Sequence, residues 1–491
     1  MKSFIACAAL LLATPVQAAD RAAQLKELSE LLAIPNVATS IPDIRKNANH
    51  IMAMMEKRGL KPRLLEGDSA DVPPAIYGEW LVPGAKRTLV LYAHYDGQAV
   101  TPEDWKATSP FEPKLYSDRL DRGGKPIPLP AAGQPIDDEW RLYGRSASDD
   151  KLGVIAILDA VDALKAAGKR PAYNLKIFFE GEEEQGSPHL AGLLAKHRET
   201  LKSDGWVIFD GPSHPRGAPL VSLGVRGDVN VDLTVFGPVR PLHSGHYGNW
   251  APNPAMTLAQ LLASMKDSGG RVTVAGWYDD VVSLTDEERA AIRAVPPADV
   301  QLKQELGLGW TEGNGMSLLD AIQQPSLNIN GFRAADVGDK ARNVIPTVAM
   351  ATLDLRLVKG NDWKRQVDKL MHHIQGQGFT VLDRAPTMDE RRRFPKIAMV
   401  TVGSGYNAER TPLDDPLAKS VAVAAKPFGA VVLPSTGGSL PLFVFRETLG
   451  APTVTVSLAN YDNNQHAEDE NLRLGNLWRA IDVAVAIMKM R

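Results

Sequence analysis

The sequence predicts an α/β protein whose main domain is interrupted by an inserted α+β domain, and three observations carry that prediction. From Asp20 to Ser222, apolar strand-like runs alternate with helical stretches, as βα units do. From Leu223 the pattern changes to two-residue alternation, as in Val229-Asn230-Val231-Asp232-Leu233-Thr234-Val235, mixed with separate helices. From about residue 391 the first pattern resumes. The expected organisation is a main-domain segment over 20–222, an inserted domain over 223–390 and a second main-domain segment over 391–491. A chain of 491 residues is long enough to build two cores.

Along the chain, residues 1–18 read as a secretory signal. Lys2 supplies the positive start, Phe4 to Ala13 the short apolar stretch and Val16-Gln17-Ala18 the small-residue cleavage site. The expectation is a secreted or periplasmic protein without a membrane anchor. The only cysteine, Cys7, falls inside this segment, so the mature chain is expected to offer only nitrogen and oxygen ligands to a metal. With Lys2 removed, 54 basic residues face 58 acidic ones, a balance that gives no reason to expect nucleic acid or an anionic membrane as partner.

The run Thr88 to Ala93 reads as a buried strand and ends in His94-Tyr95-Asp96. Trp105 to Trp140, rich in proline and glycine, reads as a long surface loop. Lys151 to Ala167 is a helix, with Val154, Leu158, Val161 and Leu164 at helical spacing and Gly168 to end it. Two more strands follow: Leu175 to Phe179 ends in Glu180-Gly181-Glu182-Glu183-Glu184, and Trp206 to Phe209 ends in Asp210. The inserted region carries a helix over Asn253 to Met265, a strand over Ala349 to Val358 and a helix over Asp362 to Gln375. A helix over Pro416 to Ala425, a Gly437-Gly438 loop and a strand over Ala451 to Leu458, leading to His466, complete the chain. Four strands thus deliver metal-capable side chains at their carboxyl ends, where open α/β sheets place their chemistry.

A hydrolytic two-metal centre needs a few hard ligands per ion, one shared carboxylate and a base beside the attacking water. His94 and Asp210 can ligate one ion, Glu184 and His466 the other, and Asp149 can bridge them. Asp96, two residues past His94, can orient the imidazole by accepting its second ring proton. Glu183, on the opposite side of an extended backbone from Glu184, can serve as general base. Zinc is the default ion, and a nitrogen-and-oxygen site also accommodates manganese or cobalt.

In order, His94-Tyr95-Asp96, Gly144-Arg145 with Asp149-Asp150-Lys151, Glu180 to Ser187, Asp210-Gly211 and His466 resemble the motifs of the M20 metallopeptidases. That family includes carnosinase-like dipeptidases, glutamate carboxypeptidase and aminoacylases. The resemblance covers nearly the whole mature chain. It implies a mixed-sheet di-metal hydrolase domain with an inserted lid or dimerisation domain, a homodimer, and the ligand and base roles just given. Leu242-His243-Ser244-Gly245-His246-Tyr247-Gly248 looks like the family segment whose histidine contacts the substrate carbonyl, often across the dimer interface. By the same resemblance Asn343, Arg356, Gly438 and Ser439 hold the substrate carboxylate. The chain departs from the family in having Ser146 where Gly-Arg-Gly is usual and in postponing the glycine after Asp-Asp-Lys to Gly153.

Each candidate also has a plainer reading. The Glu182 to Glu184 run can be a solvated turn, Asp210 a turn cap, His466 part of a surface loop and Arg356 half of a salt bridge, while His246 competes with His243 for its role. The expected function is hydrolysis of the amide bond of a dipeptide or short peptide with a free carboxylate. The rivals are an N-acyl or N-carbamoyl amino acid amidohydrolase and a non-catalytic periplasmic binding protein of the same fold.

Overall fold

A computed structural model describes residues 20–490, and the signal-like segment lies outside the described residues. The chain divides into two compact units, one of residues 20–185, 209–212 and 458–490, the other of 186–208 and 213–457.

In the first unit the strands Arg63–Leu65, Ala75–Trp80, Asn174–Glu180 and Thr88–His94 lie side by side in that order. The first two pairings are antiparallel, and Thr88–His94 runs parallel to Asn174–Glu180 with His94 opposite Glu180. Two strands that end in register bring the residues just beyond them, Asp96 on one and Glu183 and Glu184 on the other, to a single sheet edge. The helix Lys151–Ala166 packs against Leu474–Met488 and Arg21–Leu32. Its first eleven residues are all buried, which explains why its apolar pattern runs nearly continuously. Asp150 caps this helix by accepting the Gly153 N–H, and Gly168 follows its end with φ +62°.

Two expectations for this unit change. The stretch between Trp105 and Trp140 is not simply a surface loop: Lys114–Tyr116 and Pro126–Ile127 join Arg141–Tyr143 and Asn471–Arg473 in a four-stranded antiparallel sheet. Strands of two or three residues in a proline-rich stretch leave no alternation to read. Further along, Glu183–Gln185 forms a 3₁₀ turn rather than extended backbone.

Among its described residues the second unit holds two larger strand sets and two short two-stranded ladders, Gly224–Val225 with Glu409–Arg410 and Leu242–His243 with Val344–Ile345. Gly205–Ile208, Thr453–Ser457, Leu220–Ser222 and Val431–Leu433 form a mixed set, and five strands in the order Ser326–Arg333, Val348–Leu357, Gly227–Phe236, Ile397–Tyr406 and Thr380–Leu382 form the other. Val229, Val231, Leu233 and Val235 point into a core shared with Leu258, Leu261, Leu370 and Ile374 of the helices Pro254–Ala263 and Trp363–Gly376, as two-residue alternation requires. Because Ile397–Tyr406 pairs with Gly227–Phe236, the α+β stretch continues past residue 390. The mixture of parallel and antiparallel pairing agrees with the mixed α/β class expected.

Candidate metal centre

His94 ends its strand with a fully buried imidazole. Its backbone N–H donates to Asp150 Oδ2 at 3.2 Å, which ties the strand end to the cap of the Lys151–Ala166 helix. Its Nδ1 lies 3.3 Å from Asp96 Oδ1, and its Nε2 lies 3.0 Å from Asp149 Oδ1 and 3.9 Å from both Glu183 Oε2 and Asp210 Oδ2. Asp210 arrives because the Phe209 N–H donates to the Tyr92 carbonyl, and its own neighbour Gly211 accepts the N–H groups of Leu458 and Ala459. That second contact starts the polar loop leading to His466, whose Nε2 lies 3.1 Å from Asp149 Oδ2 and 3.3 Å from Glu184 Oε2.

Asp149 therefore offers one oxygen to each histidine. The donors of His94, Asp149 and Asp210 lie within 4.8 Å of one another, and so do those of Asp149, Glu184 and His466. Two donors each about 2.0–2.1 Å from one tetrahedral ion stand roughly 3.3 Å apart, which the spacings here approach. Cysteine is absent from both sets. Two divalent cations fit this donor chemistry: burial and then the Asp149 charge push Glu184 up to about 8 and Asp210 up to about 6, a strain that bound cations would relieve. His466 is pushed up to about 9, first by its bond to Asp149.

Asp96 has two jobs. Besides facing His94, its carboxylate accepts the N–H groups of Glu183 at 3.2 Å and Glu184 at 3.0 Å. Two successive amides converging on one carboxylate require a turn, which is why the acidic segment is not extended. Burial raises the Glu183 carboxyl well above its ordinary value, despite the nearby His94. Gln98 and Gln465 donate to Glu184 and Asp149.

The departures from the family pattern have local reasons. Ser146 takes φ +64°, the left-handed region where glycine is usual, and its hydroxyl accepts from Asn36 Nδ2 at 2.9 Å. Gly153 is needed where it stands, since a Cβ there would lie 2.6 Å from the Phe209 carbonyl.

The remaining candidates lie in the second unit. His243 pairs with Val344 across a two-stranded ladder, and the Asn343 carbonyl accepts the Ser244 N–H. The His243 Nδ1 accepts the Gly245 N–H at 3.0 Å, which in the neutral ring leaves the proton on Nε2. Arg356 does form the salt bridge of the plainer reading, with Asp354 at 2.9 Å, yet its Nη1 also donates to Ser439 Oγ at 2.8 Å. Gly438 accepts the N–H of Arg226, a buried arginine that sequence reasoning missed. Glu470 was missed as well, although it follows His466 by only four residues.

A metal-free sample should lose stability as pH rises from 5 to 7. Glu184 and Asp210 start from 4.5 and 3.8 in the unfolded chain and are raised in the fold, and His466 is raised from 6.5, so the folded state holds protons that the unfolded state releases. Zinc should then raise the melting temperature more at pH 7 than at pH 5. Melting curves with zinc and with chelator check this, and a metal-free melting temperature that climbs over that range contradicts it.

Two histidines and four carboxylates gathered around one shared aspartate, on a mixed α/β unit, define a binuclear metallohydrolase type of site. The family described as Peptidase family M20/M25/M40 matches residues 90–490. The chain belongs to that family and is a metallopeptidase. It is 26% identical over 481 residues to the Cys-Gly metallodipeptidase of Candida albicans, covering 92% of this chain and 91% of that one. To the human Beta-Ala-His dipeptidase it is 26% identical over 431 residues, 86% of this chain and 77% of that one. The structure of an M20 family metallo-carboxypeptidase from Sulfolobus solfataricus superposes with a TM-score of 0.76 at 29% identity, covering 95% of this chain and 98% of that one.

Proposed function

We propose that this metallopeptidase hydrolyses dipeptides or short peptides with a free carboxyl end, with Glu183 as general base and with zinc as its ion, manganese or cobalt serving as substitutes. The observation that carries the reading is the sharing of Asp149 between His94 and His466 with the Glu183 carboxylate beside them. The dipeptidase names of the two curated relatives support the substrate class.

His94, Asp149 and Asp210 would hold one ion and Asp149, Glu184 and His466 the other. Bound there, divalent ions would supply the acidity that lets a water deprotonate near neutral pH and would polarise the scissile carbonyl. Glu183 takes the proton from that water and returns it to the departing amine, a task its raised pKa suits. Asp96 holds the His94 ring and the turn that carries Glu183. His243, with its proton on Nε2, donates to the carbonyl oxygen as charge develops there. Arg356, Ser439, Gly438 and Asn343 receive the substrate carboxylate, the guanidinium fork providing paired donors.

We further propose export through the 1–18 segment and a homodimer. In support of the dimer, Ser326–Arg333 is an edge strand of its sheet with Ile329 and Phe332 exposed. No helix among the described residues is long and apolar enough to cross a membrane.

A panel of dipeptides set against N-acetyl and N-carbamoyl amino acids tests the substrate class on one preparation with its metal content measured. Turnover of the dipeptides is expected, and turnover of the N-substituted amino acids alone would replace the peptidase reading with the amidohydrolase one. Arg356→Met should raise KM roughly tenfold to a hundredfold, the loss of a charged hydrogen bond of about 1.5–3 kcal/mol. The same variant should discriminate little between a dipeptide and its C-terminal amide, and an unchanged preference for the free acid would remove Arg356 from the carboxylate site.

A further inference from the structure

Resting on the metal-ligand reading above, we propose that Glu470 is a positioning residue that fixes the spacing of Asp149 and His466 and thereby sets how tightly the chain holds its ions. Glu470 has no exposed surface. Its Oε1 accepts the backbone N–H groups of Ser148 at 2.9 Å and Asp149 at 3.0 Å. Its Oε2 accepts the N–H of Ser146 and Nη1 of Arg145, each at 2.8 Å. The segment that presents the shared aspartate is thus wrapped around one carboxylate, and that carboxylate comes from the loop that carries His466.

The other ligand needs such a tether. The His466 side chain is 54% exposed, so packing alone does little to hold its ring 3.1 Å from Asp149. Its backbone is fixed instead. Arg145, already bonded to Glu470, donates its Nη2 to the carbonyl of Ala467 at 3.0 Å, the residue next to His466. On either side of the histidine, Asp462 is held by Arg119 and Arg141, and Asp469 Oδ1 accepts the N–H groups of Lys106 and Ala107. Glu470 is the one group in this set that also grips the backbone of Asp149.

The chemistry requires a carboxylate. Four donors converge on its two oxygens, whereas an amide has one acceptor oxygen and would turn its NH₂ toward two N–H groups that need acceptors. Glu470→Gln keeps the volume and removes the grip.

The test uses the full mature chain and zinc alone, with affinity read by competition against a chromophoric chelator. Glu470→Gln should weaken zinc binding roughly 10–100-fold, the range for residues that orient metal ligands. Its turnover should recover in excess zinc with KM unchanged. Asp159→Asn, which alters a buried carboxylate bonded to Arg58, is the control for lost stability and should leave zinc affinity alone. Unchanged zinc affinity in folded Glu470→Gln, turnover that excess zinc does not restore, or an equal loss in the Asp159→Asn control would each overturn the proposal. If Glu470→Gln does not fold, Arg145→Met decides: it removes one donor to Glu470 and the tie to Ala467, and should weaken zinc binding in the same direction, wild-type affinity again refuting the idea. A parent protein that binds no zinc would instead remove the metal reading itself.

Discussion

Glu183→Gln is expected to lower turnover of the preferred dipeptide about 10²–10⁴-fold while both ions stay bound. The amide is nearly isosteric and keeps an oxygen toward His94, but it has no basic site to take a proton from water. The Glu183 backbone N–H would still donate to Asp96, so the turn should hold and Glu184 should stay in place. Metal analysis beside steady-state kinetics separates this outcome from simple loss of the site. Near-normal turnover would mean that another group serves as base, and loss of metal with turnover would make Glu183 a ligand instead.

Asp149→Ala acts on the other half of the machinery. Its two oxygens face the two histidines separately, so one truncation takes a ligand from each ion and leaves His94 with Asp210 on one side and Glu184 with His466 on the other. Stable zinc sites ordinarily use three or four protein ligands. Zinc affinity should therefore fall at least as far as the roughly 10–100-fold typical of losing a mere supporting residue, and the zinc-dependent rise in melting temperature should disappear. Retention of two ions at wild-type affinity would show that Asp149 does not bridge.

Much of the site was legible because strand ends are local features. The apolar runs before His94, Glu180 and Asp210 identify those residues without any knowledge of what lies opposite, and the strands Thr88–His94 and Asn174–Glu180 sit where periodicity puts them. The helix Pro416–Ala425 has the expected bounds. The acidic turn was harder. Its extended reading failed because the amides of Glu183 and Glu184 bind a carboxylate 87 and 88 residues earlier in the chain. The same kind of distant partner hid the small sheet within Trp105 to Trp140, whose outer pairing involves Asn471–Arg473.

Alone, the sequence determined the donor types and their order along the chain, since each follows from residue identity and local pattern. Tertiary structure decided how those donors are shared. Asp149 and His466 are 317 residues apart, and only packing can bring one aspartate oxygen to each histidine and set the Glu470 carboxylate against the backbone N–H groups of Ser148 and Asp149. Local periodicity constrains which face a side chain occupies, whereas a spacing near 3 Å between distant residues depends on every element packed between them.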